Sequence, residues 1–287
     1  MVRNKKKFDI LFLCHEKDME SLKESIKYAQ KNVVGYRKIF LLSKKNFLPD
    51  EDIVFVDEKL FPFSKSDIAK YASEERVGWY YQQFLKLYFL KVIGNKSLDN
   101  VLVIDADTIF LKKTNFFEGG VPLYNIEIGK HDPYYSIVKR VFDIDFPVLS
   151  YSGVTHHMLF QRKYIMEILK LRSKDNDLEF WEKVMTNIDK NTESGFSEYI
   201  LYFNYMLKFN KNKIRIRKIK FIDFPYYSKK WLCFFKFWGY SYLSAHDYLR
   251  KESFPIMSSI LYNLLKIFGI RVFVKDSLIK LGIVKVR

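Results

Sequence analysis

Four short apolar runs, each continuous rather than alternating, mark the first third of the chain: FDILFLC (8–14), RKIFLLS (37–43), DIVFVD (52–57) and NVLVID (100–105). Between them lie segments with helical spacing. Met19, Leu22, Ile26 and Ala29 recur three and four apart, a short helix is expected over Ser66–Tyr71, and ERVGWYYQQFLKLYFLKVI reads as a long one. A strand that is apolar at every position is buried on both faces. Alternation of such strands with helices therefore predicts an α/β fold, with a mostly parallel central sheet and helices on both faces. Sheets of this kind bind ligands beyond the carboxyl ends of their strands. His15, Ser43, Asp57, Asp105 and Asp107 fall at those ends.

After about residue 120 the pattern is mixed. VPLYNIEI and GVTHHMLF read as strands, and Arg162–Leu171, Leu178–Ile188 and Phe196–Phe209 as helices. KIRIRKIKFIDF alternates basic and apolar residues as an exposed edge strand does. With no Pro/Gly/Ser linker and no internal repeat, residues 1–250 form one domain, with a smaller antiparallel and helical C-terminal part. Residues 251–287 then form a basic, amphipathic helical tail, open to two readings: packing on the core, or peripheral contact with an anionic membrane surface.

Asp105 and Asp107 pose the sharpest question, because NVLVIDADTIFLKK sets two carboxylates inside an apolar stretch. Buried anions cost several kcal/mol unless a positive partner meets them. In extended geometry both side chains project to one side, as oxygen ligands to a divalent cation do. The plainer alternative is that one Asp caps a helix and the other pairs with a nearby lysine; Asp-x-Asp alone is not specific. The net charge of +16 points to anionic partners, whether nucleic acid, membrane surface or phosphorylated small molecules. Two cysteines far apart, Cys14 and Cys233, form no disulfide framework, which fits a reducing compartment. The basic N-terminus reads as a first core strand rather than a signal peptide, and no apolar run suffices for a transmembrane helix. The chain thus reads as cytoplasmic, and the membrane reading of the tail adds peripheral contact at the inner face of a membrane.

GWYYQQ…KL, the DAD doublet, THHMLF and SEY…Y.NY, in that order, make the chain resemble GT-A-fold (Rossmann-like) nucleotide-sugar glycosyltransferases over residues 8–250. The match is nearest to a polysaccharide-type group. The resemblance implies a metal-dependent transferase that moves a sugar from a nucleotide-sugar donor, a UDP-sugar, to a glycan acceptor. Mn²⁺ or Mg²⁺ would be held by Asp105, Asp107 and His246. Glu198, at a helix start, would be the general base of an inverting reaction, with Glu193 as a spare. His15, Asp18, Asp57, Gln83, Lys86, Asp105, Ala106 and Gly153 would bind the donor, and Trp79 and His156 the acceptor. His156 and His157 point to opposite faces if extended, so at most one of the two lines the site.

Three alternatives stay open. A retaining transfer follows if Glu198 does not reach the acceptor. A nucleotidyltransferase also uses paired aspartates and a metal, but needs a Gly-rich loop that FLCHEKDMES lacks. A basic nucleic-acid-binding module is disfavoured, because the basic residues are spread throughout without a recognised motif, so no nucleic-acid partner is expected.

Overall fold

The computed structural model describes residues 6–49, 52–129, 131–147, 149–173, 177–189, 194–251 and 254–267. Glu193 and the tail beyond 267 lie outside the described residues.

The alternation predicted for the first half is present. Strand β1 (Phe8–Leu13) leads to helix α1 (Met19–Asn32), then to β2 (Tyr36–Ser43) and β3 (Ile53–Asp57). Helix α2 (Glu74–Ile93) follows, and then β4 (Asn100–Asp105). A turn at Ala106–Asp107 separates β4 from β5 (Thr108–Phe110). Further on come β6 (Val121–Asn125), α3 (Asp132–Phe142), β7 (His157–Gln161) and α4 (Glu198–Phe209). The C-terminal part holds β8 (Arg215–Arg217), β9 (Phe221–Phe224), α5 (Lys229–Phe237), β10 (Tyr242–Ala245) and α6 (Pro255–Ile267).

The central sheet has the order β7-β4-β1-β2-β3. Its pairings β4/β1, β1/β2 and β2/β3 are parallel, and only β7 runs antiparallel. Ile10, Leu11, Phe12, Leu102, Val103, Ile104, Leu41 and Leu42 are almost fully inaccessible, as continuous apolar strands require. Asp9 interrupts β1 yet is buried. Arg37 grips it through two hydrogen bonds of 2.9 and 2.7 Å, and the Leu98 amide donates a third at 2.7 Å, so the charge is compensated.

A second small sheet, β9-β10-β5, stands beside the first, with β9/β10 parallel and β10/β5 antiparallel. Here the structure departs from the sequence expectation twice. KIRIRKIKFIDF is not one exposed edge strand: it breaks into β8 and β9, and FIDF is buried along Ile222, Asp223 and Phe224. The DAD doublet is also not extended. The chain leaves the first sheet at Asp105 and enters the second at Thr108, so the turn between them sends the two carboxylates towards different partners. Helices α3 and α5 have no counterpart in the sequence reading. Of the expected tail, α6 lies against β9: Ser259 Oγ and Asn263 Nδ2 both donate to the Asp223 carbonyl, at 2.5 and 2.9 Å.

Candidate metal and donor site

The turn between the two sheets places Asp105 and Asp107 in separate settings. Lys86 projects from the buried face of α2, and its Nζ lies 2.7 Å from Asp105 Oδ1 and 2.8 Å from Glu198 Oε1. The Tyr199 hydroxyl donates to the same Asp105 oxygen at 2.9 Å, and Lys86 stands 4.6 Å from the centre of the Tyr199 ring. Burial opposes the charge on both partners. The mutual attraction wins, lifting the Lys86 ammonium above its usual range and holding the Asp105 carboxyl well below the usual carboxylate range. One carboxylate of the doublet thus finds its positive partner in a lysine.

Asp107 faces elsewhere. Its carbonyl accepts from the Ala245 amide at 2.9 Å, which fixes the turn against the end of β10. Its Oδ2 lies 3.2 Å from His246 Nδ1, while its Oδ1 is buried with no hydrogen-bond partner. His246 is the first residue beyond β10, and its Nε2 lies 3.4 Å from Asp223 Oδ1. His156 reaches the same oxygen at 3.0 Å through Nε2, an ion-pair approach without hydrogen-bond alignment, and its Nδ1 stands 3.7 Å from Asp105 Oδ2. The two imidazoles are 4.6 Å apart centre to centre.

His156 is not part of a strand: its φ of 62° is left-handed, a conformation uncommon outside glycine that Asn, Asp and His enter more readily than other residues. That twist turns the ring into the cluster, while His157 begins β7 and packs against Phe110, Phe116 and Tyr242. Burial alone would depress both cluster histidines. Instead Asp223, aided by Asp105, raises His156 to about 9, and Asp107 with Asp223 raises His246 to about 10.

One ligand atom each from His156, Asp223 and His246 falls within 4.8 Å of the others, the spacing of groups that share one cation. The donors fit a divalent ion, with two imidazoles, a buried carboxylate and the unpartnered Asp107 Oδ1 beside them. Asp223 is the residue the sequence reading missed. FIDF looks like an ordinary amphipathic strand, and only β9/β10 pairing brings its carboxylate beside His246.

One strand over from Asp105 is a cleft of about 600 Å³ at the carboxyl ends of β1, β2 and β3, lined by none of the cluster's own side chains. Leu13 on its wall is the register partner of Asp105. His15, Lys44, Lys45, Lys59, Lys65 and Gln82 line it. His15 caps the turn after β1, its Nδ1 accepting from the Lys17 amide at 3.3 Å. Asp57 caps the next such turn by accepting from the Lys59 amide at 2.9 Å, so its carboxylate serves the backbone while Glu58 and Lys59 face the cleft. Asp18 precedes α1, and its charge helps burial push the Cys14 thiol up to about 12.

The remaining expected residues divide. Gln83 is buried behind the site, and its Oε1 accepts from the Glu198 amide at 2.9 Å. Glu198 opens α4 under the cap of Ser197. Trp79 lies over Tyr134, with ring planes 17° apart and centres 6.3 Å apart. Ala106 sits in the turn of the doublet. Gly153 faces the Phe203 ring: a Cβ there would stand 2.5 Å from Phe203 Cγ, so its missing side chain makes room for α4.

Among solved structures, the chain is similar to mouse xyloside xylosyltransferase 1 in its apo form, at 13% identity and a TM-score of 0.41 over 85% of this chain and 99% of that one. It is also similar to an active-site mutant of LgtC, at 12% identity and a TM-score of 0.41 over 75% of each chain. No curated protein sequence matches it. The sequence model of a family of unknown function, DUF6492, matches residues 4–222. With that match spanning most of its length, the chain belongs to the DUF6492 family.

Proposed function

We propose that this protein is a metal-dependent glycosyltransferase that moves a sugar from a uridine diphosphate donor to a hydroxyl of a glycan. The observation that carries the reading is the meeting of Asp107 with His246, Asp223 and His156 beside a lysine-lined cleft at the carboxyl ends of the parallel strands. Such a position suits a diphosphate bridged between cationic side chains and a cation.

His246, His156, Asp223 and Asp107 would hold the ion, and two imidazoles favour Mn²⁺ over Mg²⁺. A divalent cation there supplies positive charge to a departing diphosphate. Lys44, Lys45, Lys59 and Lys65 draw the donor phosphates into the cleft and hold them against its wall. Lys86 neutralises Asp105 and so keeps a second uncompensated anion away from the phosphates. Trp79, near the N-terminal end of α2, and Tyr134, near the start of α3, offer aromatic faces on which an acceptor sugar ring can lie.

In the inverting form of this reading Glu198 takes the proton of the attacking hydroxyl at its carboxylate. A second form is favoured by a specific observation: Glu198 is buried and one of its oxygens accepts from Lys86. There Glu198 is a positioning residue for Lys86, and transfer proceeds with retention.

The test is thermal melting with uridine diphosphate and Mn²⁺ together and separately, followed by a screen of nucleotide sugars for metal-dependent donor hydrolysis. A rise in Tm that requires both ligands, with turnover of one donor, is the expected result. Stabilisation by oligonucleotide alone would remove the transferase reading.

A further inference from the structure

Helix α5 is two-faced in an unusual way. Leu232 and Phe235 are buried in a small core with Leu111, Ile222, Phe224 and Leu243, and Trp231 stacks on Phe235 at 21°. This face anchors the helix to the second sheet. The other face carries aromatics in water: Phe234 is 48% exposed, Phe237 85% and Trp238 57%. Spaced i, i+3 and i+4, they line up on one side. Phe234 and Phe237 each lie 6.1 Å from the Trp238 ring, so the three form one continuous surface.

On α5 and the turns beside it the charges have one sign. Lys229, Lys230 and Lys236 on the same helix are exposed, and from Pro225 to Ala245 the sequence contains no Asp or Glu. Lys220 joins from the strand side: its Nζ donates to the Trp238 carbonyl at 3.1 Å and sits 4.2 Å from the centre of the Tyr240 ring. Lys112 Nζ comes within 3.9 Å of the Cβ position at Gly239, where φ is 86° and the chain turns back beneath the aromatics. Ammonium groups thus flank an aromatic patch whose own helix and turns carry no negative charge.

We propose that α5 is a membrane-docking element that seats Phe234, Phe237 and Trp238 among the headgroups of an anionic bilayer while the lysines pair with lipid phosphates. Exposed Trp and Phe partition to the bilayer interface, and lysines at that depth gain from the negative surface potential. Among the described residues no helix is long and apolar enough to cross a membrane, so the contact is peripheral. The element is distinct from the C-terminal tail to which the sequence points for membrane contact, and it does not depend on the glycosyltransferase reading.

The experiment is co-sedimentation of the full-length chain with vesicles of phosphatidylcholine alone and of phosphatidylcholine mixed with phosphatidylglycerol, at low and high salt. The protein should pellet with the mixed vesicles, less so at high salt, and not with the neutral ones. The triple variant Phe234→Ser, Phe237→Ser, Trp238→Ser and the charge variant Lys229→Glu, Lys230→Glu, Lys236→Glu should each weaken binding by at least about tenfold. Native circular dichroism should be retained, since every altered side chain is exposed. Tryptophan emission should shift to the blue on binding, and Trp238→Phe should abolish that shift while preserving the association. Absence of binding to mixed vesicles overturns the proposal. So does equal binding by all variants, which would place the contact elsewhere, in residues 268–287 for example. Self-association lost in the triple variant without vesicle binding would assign the patch to a second copy of the chain.

Discussion

Lys86 Nζ and Glu198 Oε1 lie 2.8 Å apart, and the same ammonium also holds Asp105 at 2.7 Å. One buried cation therefore serves two carboxylates brought from β4 and α4. Lys86→Met keeps the volume and removes the charge, leaving buried Glu198 without its counter-ion and Asp105 with only His156, 3.7 Å away, to compensate it. A loss of about 3–5 kcal/mol in unfolding free energy is expected, measured by urea denaturation at neutral pH. Adding Glu198→Gln to Lys86→Met should recover part of the loss, because one stranded charge disappears. If the single variant costs nothing measurable, the ion pairs do not hold this part of the fold together.

Glu198→Gln alone separates the two forms of the proposed reaction. If the carboxylate removes the proton of the acceptor hydroxyl, transfer should fall by about 10²–10⁴-fold while donor binding persists. If Glu198 only steadies Lys86, the amide oxygen still accepts from the ammonium. Transfer should then fall less than about tenfold, with the anomeric configuration retained in the product. Single-turnover kinetics with product analysis by NMR reads both quantities in one experiment.

The sequence carries the fold where local pattern is enough. The parallel strands are legible because β1, β2 and β4 each hold a continuous apolar run, over residues 10–13, 39–42 and 101–104, and α2 because its long periodic run has no proline. It misses α3 and α5: the apolar stripe of α3, Ile137, Val138, Val141 and Phe142, spans less than two turns, and KKWLCFFKFWG sets aromatics on its exposed face as well as its buried one. For the site, the doublet and His246 are visible as residues, but their partners are not. Asp223 is found only through strand pairing across the second sheet, and the left-handed turn that aims His156 is set by tertiary context. Gly153 shows the same limit, because a glycine suggests close approach without naming what approaches.

That approach is to Phe203. Gly153→Ala would place a methyl group 2.5 Å from Phe203 Cγ and 2.7 Å from its Cβ, well inside van der Waals contact. Overpacking of this kind costs about 1–3 kcal/mol. Phe203→Ala, which removes the Cγ and Cδ1 that the methyl group would meet at 2.5 and 3.0 Å, should make the alanine less harmful than it is in the wild-type background, a coupling that a double-mutant cycle in denaturant would read. Equal cost in both backgrounds would show that the two residues do not clash.

The histidine pair gives opposite pH dependences with and without a cation. His156 and His246, raised to about 9 and about 10, are protonated in the folded chain and are held by Asp105, Asp107 and Asp223. A histidine whose folded pKa is raised contributes stability that is fully present below its unfolded value near 6.5 and is lost as pH climbs through 9 and 10. The metal-free protein should therefore lose Tm across that window. A bound cation needs both imidazoles neutral, so its affinity should rise with pH over the same range as protons leave. Melting curves from pH 6 to 10 with and without Mn²⁺ should diverge, and the metal-induced shift should grow as the metal-free Tm falls. Asp223→Asn should shrink that divergence by removing the carboxylate that both rings share. A metal-induced shift that is flat with pH, or unchanged in Asp223→Asn, would mean the cation is held away from this cluster.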